Sequence, residues 1–229
     1  MDQTPAHELH NPDLLAFLPL TASHLVEVGC SSGSLAREYK KNGGRGHYTG
    51  IELVPQYAEL ARRHCDRVLT LDIETVDTAY LRENMSGDCW IFGDTLEHLR
   101  DPWALLGRIR QVISKTGSII ACIPNAQHWS IQAMLSAGAF RYQPSGLLDR
   151  THLRWFTRIT IAEMFEGAGF RILESRSRIF NEPARERILP RIKELAIVAG
   201  AEPEQAVLDA IPLQYVIHAV ANQWPPTAP

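Results

Sequence analysis

Val26-Glu27-Val28-Gly29-Cys30-Ser31-Ser32-Gly33-Ser34 is an apolar run that ends in a turn of small residues and leads into a helical pattern from Ser34 to Lys41. Gly29 and Gly33 let the backbone approach closely, so amides of the turn and of the helix start can face a ligand. Glu52 lies 19 residues after Gly33, at the end of the next apolar run. An acid there can accept hydrogen bonds from both hydroxyls of a ribose, and the two features together describe a nucleoside pocket. Taken alone, the Gly-x-x-x-Gly turn is also ordinary punctuation between a strand and a helix. It is not the dinucleotide fingerprint, because Ser31 stands where that motif has its middle glycine, which disfavours a nicotinamide oxidoreductase.

Outward from this turn, short apolar runs alternate with segments of helical period, the pattern of a parallel sheet covered by crossover helices. Strands are predicted at Leu25 to Val28, His47 to Glu52, Arg67 to Leu71, Cys89 to Phe92 and Gly117 to Cys122. Helices are predicted near Ser34 to Lys41, Pro55 to His64 and Pro102 to Ile113, the latter two opened by a proline suited to a first turn. From Pro124 to Trp155 the alternation breaks into an aromatic and polar stretch, expected to be an insertion that covers a pocket. A helix at Thr157 to Ala168, ended by Gly169, then precedes strands at Arg171 to Ile179 and Tyr215 to Ala221, with Pro183 to Ala210 helical between them. Residues 223–229, with three of the prolines falling at or near the end, read as a loose tail. The expectation is one α/β domain over residues 1–229: a doubly wound, mostly parallel seven-stranded sheet with helices on both faces, of the Rossmann-like kind.

Composition narrows the function classes. Lys and Arg total 23 against 26 Asp and Glu, a net charge of -3, so the basic field of a nucleic-acid binder is missing. No apolar run reaches the roughly 18 to 20 residues of a membrane span. The amino terminus lacks a basic head and an apolar stretch of the secretory kind. Cys30, Cys65, Cys89 and Cys122 are scattered and read as reduced thiols of a cytoplasmic protein.

The motifs, in this order over His10 to Phe170, resemble class I S-adenosylmethionine-dependent methyltransferases. Within that class they are similar to the ubiquinone-biosynthesis O-methyltransferases and to methyltransferases of bacterial polysaccharide and natural-product clusters. The resemblance implies that Glu27, Gly29, Cys30 and Gly33 face the methionine part of the cofactor and that Glu52 holds its ribose. It implies that Asp72 and Ile73 read the adenine edge, that Leu53 packs on adenine and that Asp94 stands near the methionine amine. Ser31 and Ser34 depart from it, since glycine is common at both places. Apart from the resemblance, Asp72 reads as a cap or turn residue.

Methyl transfer to a hydroxyl needs alignment and removal of a proton, and a neutral imidazole suits the second task. His98, His128 and His152, three of nine histidines, fall in segments expected at the carboxyl edge of the sheet, where ligands bind in such folds. His152 is the first candidate base and His128 the second, with Asp149 placed to fix the imidazole tautomer and Arg150 to anchor an anionic group. Asn125 and Trp129 are candidate substrate contacts, and Trp129, Phe140, Tyr142, Trp155 and Phe156 would form an aromatic wall or else the insertion's own core. Asp149 and Arg150 are alternatively an ion pair that closes the lid.

Asp94-Thr95-Leu96-Glu97-His98 resembles the Glu-x-x-Glu-His pattern of the ubiquinone type, some members of which use a divalent metal there. Asp94, Glu97 and His98 are thus candidate ligands for an ion such as Mg²⁺, although no metal is assigned. The alternative has Glu97 capping the next helix and His98 packing on the pocket. The expected acceptor is a small-molecule hydroxyl, on a sugar of a polysaccharide or nucleotide-linked precursor first and on a phenol or other natural-product intermediate second. The alternative of another class is a non-catalytic protein that binds the cofactor.

Overall fold

The computed structural model describes residues 8–222, and the tail expected at residues 223–229 lies outside the described residues. Strands β1 (His24–Val28), β2 (His47–Glu52), β3 (Arg67–Thr70), β4 (Cys89–Gly93), β5 (Ser118–Pro124), β6 (Phe170–Arg178) and β7 (Gln214–Ala221) form one sheet in the order β3-β2-β1-β4-β5-β7-β6. The first five pair parallel, whereas β7 runs antiparallel between β5 and β6. This is the seven-stranded, mostly parallel, Rossmann-like sheet that the alternation predicts.

The parallel strands are apolar on both sides because both sides are covered. Along β4 and β5, Trp90, Phe92, Ile119, Ala121 and Ile123 enter one core, while Cys89, Ile91, Ile120 and Cys122 enter the other. The helices among the described residues are α1 (Pro12–Phe17), α2 (Ser34–Lys41), α3 (Pro55–Ala61), α4 (Thr78–Asn84), α5 (Pro102–Arg110), α6 (Trp129–Ser136), α7 (Arg158–Gly167), α8 (Leu189–Val198) and α9 (Pro203–Asp209). The four cysteines are free and buried. Among the described residues no helix is long and apolar enough to cross a membrane.

Several elements differ from expectation. α1, α4 and α6 are short, and the first two are marked by caps more than by periodicity: Asn11 Oδ1 accepts the Asp13 and Leu14 amides, and Asp77 Oδ1 accepts the Tyr80 amide. The helical stretch from Pro183 to Ala210 is a 3₁₀ turn, α8 and α9, broken where Gly200 turns left-handed ahead of Pro203. The insertion contains α6, and a bridge between Asn125 and Phe156 closes its base.

The strand order reverses between β1 and β4, which opens a crevice at their carboxyl ends. The turns after these strands touch there. Gly29 has φ 74°, and a β-carbon on it would lie 2.9 Å from Thr95 Oγ1, whose hydroxyl already bonds the Val28 carbonyl at 3.0 Å. Gly29→Ala combines that contact with a left-handed backbone and is expected to destabilise the protein by about 1–3 kcal/mol in urea unfolding. An unchanged midpoint would contradict this packing.

Candidate active site

The glycine turn is held from β2. The Gly29 and Cys30 amides both donate to the Ile51 carbonyl, at 2.8 and 3.1 Å, and the Gly33 amide closes the turn on the Cys30 carbonyl at 2.8 Å. Ser31 has φ 47°, and in that left-handed conformation its amide donates to Glu52 Oε2 at 2.8 Å. The Val54 amide donates to Glu52 Oε1 at 2.9 Å. Glu52, only 6% exposed, is therefore oriented through both oxygens, and each oxygen retains a lone pair for another donor.

The two serines that depart from the glycine pattern each have a partner. Ser31 reaches Glu52 as described, and the Ser34 hydroxyl donates to the Leu9 carbonyl at 2.9 Å. With Arg37 on Glu8 at 2.7 Å, the second contact straps the segment before α1 across the start of α2. Beneath the turn, Glu27 is buried and accepts the Tyr48 hydroxyl at 2.9 Å. Burial, with the Glu52 charge adding to it, pushes the Glu27 carboxyl up to about 8 against the pull of that bond.

Leu53 is 52% exposed at the rim, whereas Ile73 is buried. Asp72 does act as a turn residue: its Oδ1 accepts the Glu74 amide at 2.9 Å. Its Oδ2 meets the Arg100 guanidinium at 3.0 Å, and Glu74 accepts the amides of Arg100 and Asp101 at 3.0 and 2.7 Å. Arg100 and Glu74, absent from the sequence reading, so tie the loop after β3 to the loop before α5.

The turn after β4 carries the densest cluster. Asp94 has φ 54° and accepts a hydrogen bond from the Gln214 side-chain amide. Glu97 does not cap the following helix, because Asp101 does so by accepting the Ala104 amide at 2.9 Å. Instead Glu97 is 1% exposed, and neither carboxylate oxygen has a hydrogen-bond partner. Its main-chain carbonyl accepts the Leu153 and Arg154 amides at 2.8 and 3.0 Å, which brings the end of the insertion over it.

His98 and His152 meet here at a ring separation of 4.8 Å. His98 Nδ1 lies 3.2 Å from the Thr151 carbonyl, and His152 Nδ1 lies 3.3 Å from the Leu147 carbonyl. A carbonyl only accepts, so Nδ1 carries the proton in both rings and Nε2 keeps the lone pair. His152 Nε2 is 3.9 Å from Glu97 Oε1. Burial, reinforced by Asp94 and Asp149, pushes the Glu97 carboxyl well above the usual range, and burial lowers both imidazoles. Burial thus favours the uncharged form of all three groups.

Glu97, His98 and His152 also offer three ligand atoms within 4.8 Å of one another. Asp94, expected in a metal set with Glu97 and His98, is not a member of this one. A buried carboxyl without partners fits a cation, and two imidazoles with one carboxylate suit an ion of the zinc, iron or manganese kind better than Mg²⁺.

His128 lies elsewhere in the lid. It is fully buried, with Nδ1 at 2.8 Å from Ser130 Oγ and Nε2 at 3.1 Å from Glu182, which also accepts the Trp129 indole at 3.0 Å. Asn125 spends its amide on the Asp209 and Pro212 carbonyls, both at 2.8 Å, so it pins the base of the insertion where a substrate contact was expected. Asp149 Oδ1 accepts the Thr151 amide and hydroxyl, and Arg150 is exposed. The aromatic residues of the insertion do not form one wall, since Phe156 joins the main core against Trp103, Phe140 meets Tyr142 edge to face, and Trp155 is exposed.

The sequence profile of the methyltransferase domain matches residues 6–175. A ubiquinone biosynthesis O-methyltransferase of Cereibacter sphaeroides is 27% identical over 179 residues, which cover 74% of this chain and 68% of that protein. An S-adenosylmethionine-dependent methyltransferase from Mesorhizobium loti superposes with a TM-score of 0.61 at 16% identity, over 91% of this chain and 96% of that one. The magnesium protoporphyrin IX methyltransferase from Synechocystis PCC 6803, solved with bound S-adenosylhomocysteine, gives 0.60 at 12% identity, over 92% and 81%. At such identities these two structures speak to the fold alone. The sheet order, the turn gripped by Glu52 and the domain match over most of the chain agree: this chain belongs to the methyltransferase-domain family and is a class I S-adenosylmethionine-dependent methyltransferase.

Proposed function

We propose that the enzyme methylates a hydroxyl oxygen of a small acceptor bound under the lid at 124–155, with an imidazole of the His98–His152 pair removing the proton. The observation that carries this reading is the pair itself, two rings 4.8 Å apart whose Nδ1 atoms face main-chain carbonyls and which lie beside the buried Glu97. The relatives named for ubiquinone biosynthesis support an aromatic hydroxyl. A sugar hydroxyl, first in the sequence reading, is the second acceptor to test.

S-adenosylmethionine supplies a methyl group on a sulfonium, displaced in line by the acceptor oxygen. On the protein side, Glu52 holds the ribose hydroxyls, Leu53 and Ile73 border the base, Glu27 lies beneath the glycine turn, and Asp94 supplies negative charge toward the amino-acid tail. Closing the lid aligns the acceptor and keeps water from the transfer.

His152→Ala and His98→Ala, assayed with a phenol and sugar acceptor panel, are expected to split. The base variant should lose about 10²–10⁴-fold in kcat while affinity for S-adenosylhomocysteine stays within twofold. Both variants retaining kcat within threefold would remove the proposed base.

A second reading is favoured by Glu97, whose two oxygens have no partner: a divalent ion held by Glu97, His98 and His152, which would polarise the acceptor oxygen. Zn²⁺, Mn²⁺ and Mg²⁺ are then expected to raise the thermal midpoint of the wild type but not of Glu97→Gln. Because the ion displaces a proton from a carboxyl held above its usual range, the rise should grow between pH 6 and pH 8. No rise with any of the three ions at either pH would exclude the metal reading.

A further inference from the structure

Asp94 sits at the end of a polar chain that starts on the opposite side of the crevice. Asp13, in the first turn of α1, accepts Arg178 Nε at 3.0 Å. Arg178 Nη1 donates to Gln214 Oε1, and Gln214 Nε2 donates to Asp94 Oδ1. The sheet sets this up, since Gln214 opens β7 and stands in register with Pro124, the last residue of β5, on one side and Arg178, the last of β6, on the other.

The order of donors is forced. A guanidinium can only donate, so the Gln214 oxygen must face Arg178 and its NH₂ must face Asp94. The amide therefore orients the Asp94 carboxylate, and Arg178 and Asp13 in turn orient the amide. Asp94 is also a non-glycine residue in the left-handed region, a conformation that persists where the surroundings enforce it.

We propose that Gln214, backed by Arg178 and Asp13, is a positioning residue that aims the Asp94 carboxylate at the ammonium of the cofactor's amino-acid tail. This rests on the reading above that Asp94 faces that tail. Two probes separate the effects by calorimetry: S-adenosylhomocysteine, which carries the amino-acid tail, and 5′-methylthioadenosine, which lacks it. Gln214→Met keeps the length of the side chain and removes both hydrogen bonds. It is expected to weaken S-adenosylhomocysteine about tenfold, the size of one charge-assisted hydrogen bond, and methylthioadenosine less than twofold. Asp94→Asn should shift the same ratio.

Equal losses for both probes, or none, in Gln214→Met while Asp94→Asn shifts the ratio would overturn the positioning role alone. An unshifted ratio in Asp94→Asn would overturn the placement of Asp94 itself and the inference with it. Should Gln214→Met fail to fold, Asp13→Asn at the outer end of the chain is expected to move the ratio about twofold in the same direction, and no movement would count against the proposal.

Discussion

The site depends on one buried carboxylate that backbone amides hold from both sides. Glu52 ends β2, yet its oxygens bond Ser31 in the turn after β1 and Val54 in its own turn. Hydrogen bonds of an amide to an ionised group contribute about 1.5–3 kcal/mol each, and an unpaired buried carboxylate would cost more than that. Keeping these bonds requires the left-handed backbone at Ser31, and the left-handed Gly29 and Gly33 carry the chain into and out of that turn. The shape of the pocket follows from satisfying this one side chain.

Three buried glutamates around the crevice form a series in how well they are satisfied. Glu52 has two backbone donors, Glu27 has the Tyr48 hydroxyl, and Glu97 has none. The less a buried carboxyl is solvated by the protein, the more its neutral form is favoured. Burial accordingly raises Glu27 to about 8 and holds Glu97 well above the usual carboxylate range.

The parts of the fold legible in sequence are those set by local pattern. Central strands such as β4 and β5 announce themselves because burial on both faces makes them largely apolar, and Pro55 and Pro102 mark the true starts of α3 and α5. α1, α4 and α6 span only two turns or so and carry little periodicity; for α1 and α4 the caps Asn11 and Asp77 are the local signal, and α6 has no capping side chain. In the site, the glycine turn and Glu52 were readable because their spacing is local to one strand–helix–strand unit. Gln214, Arg178, Arg100 and Glu182 were not, since each acts through a partner reached across the sheet or lid, as Gln214 reaches Asp94 from 120 residues away. The pairing of His98 with His152 belongs to the same class: each residue was a candidate, but only the return of the insertion over Glu97 brings them together.

A crystal structure with S-adenosylhomocysteine tests the central claim most directly. Both ribose hydroxyls are expected at about 2.5–3.0 Å from the two Glu52 oxygens, with the Ser31 and Val54 amides still bound to that carboxylate. An adenosine whose sugar lies away from Glu52, or a Glu52 that abandons those amides to meet it, would contradict the account.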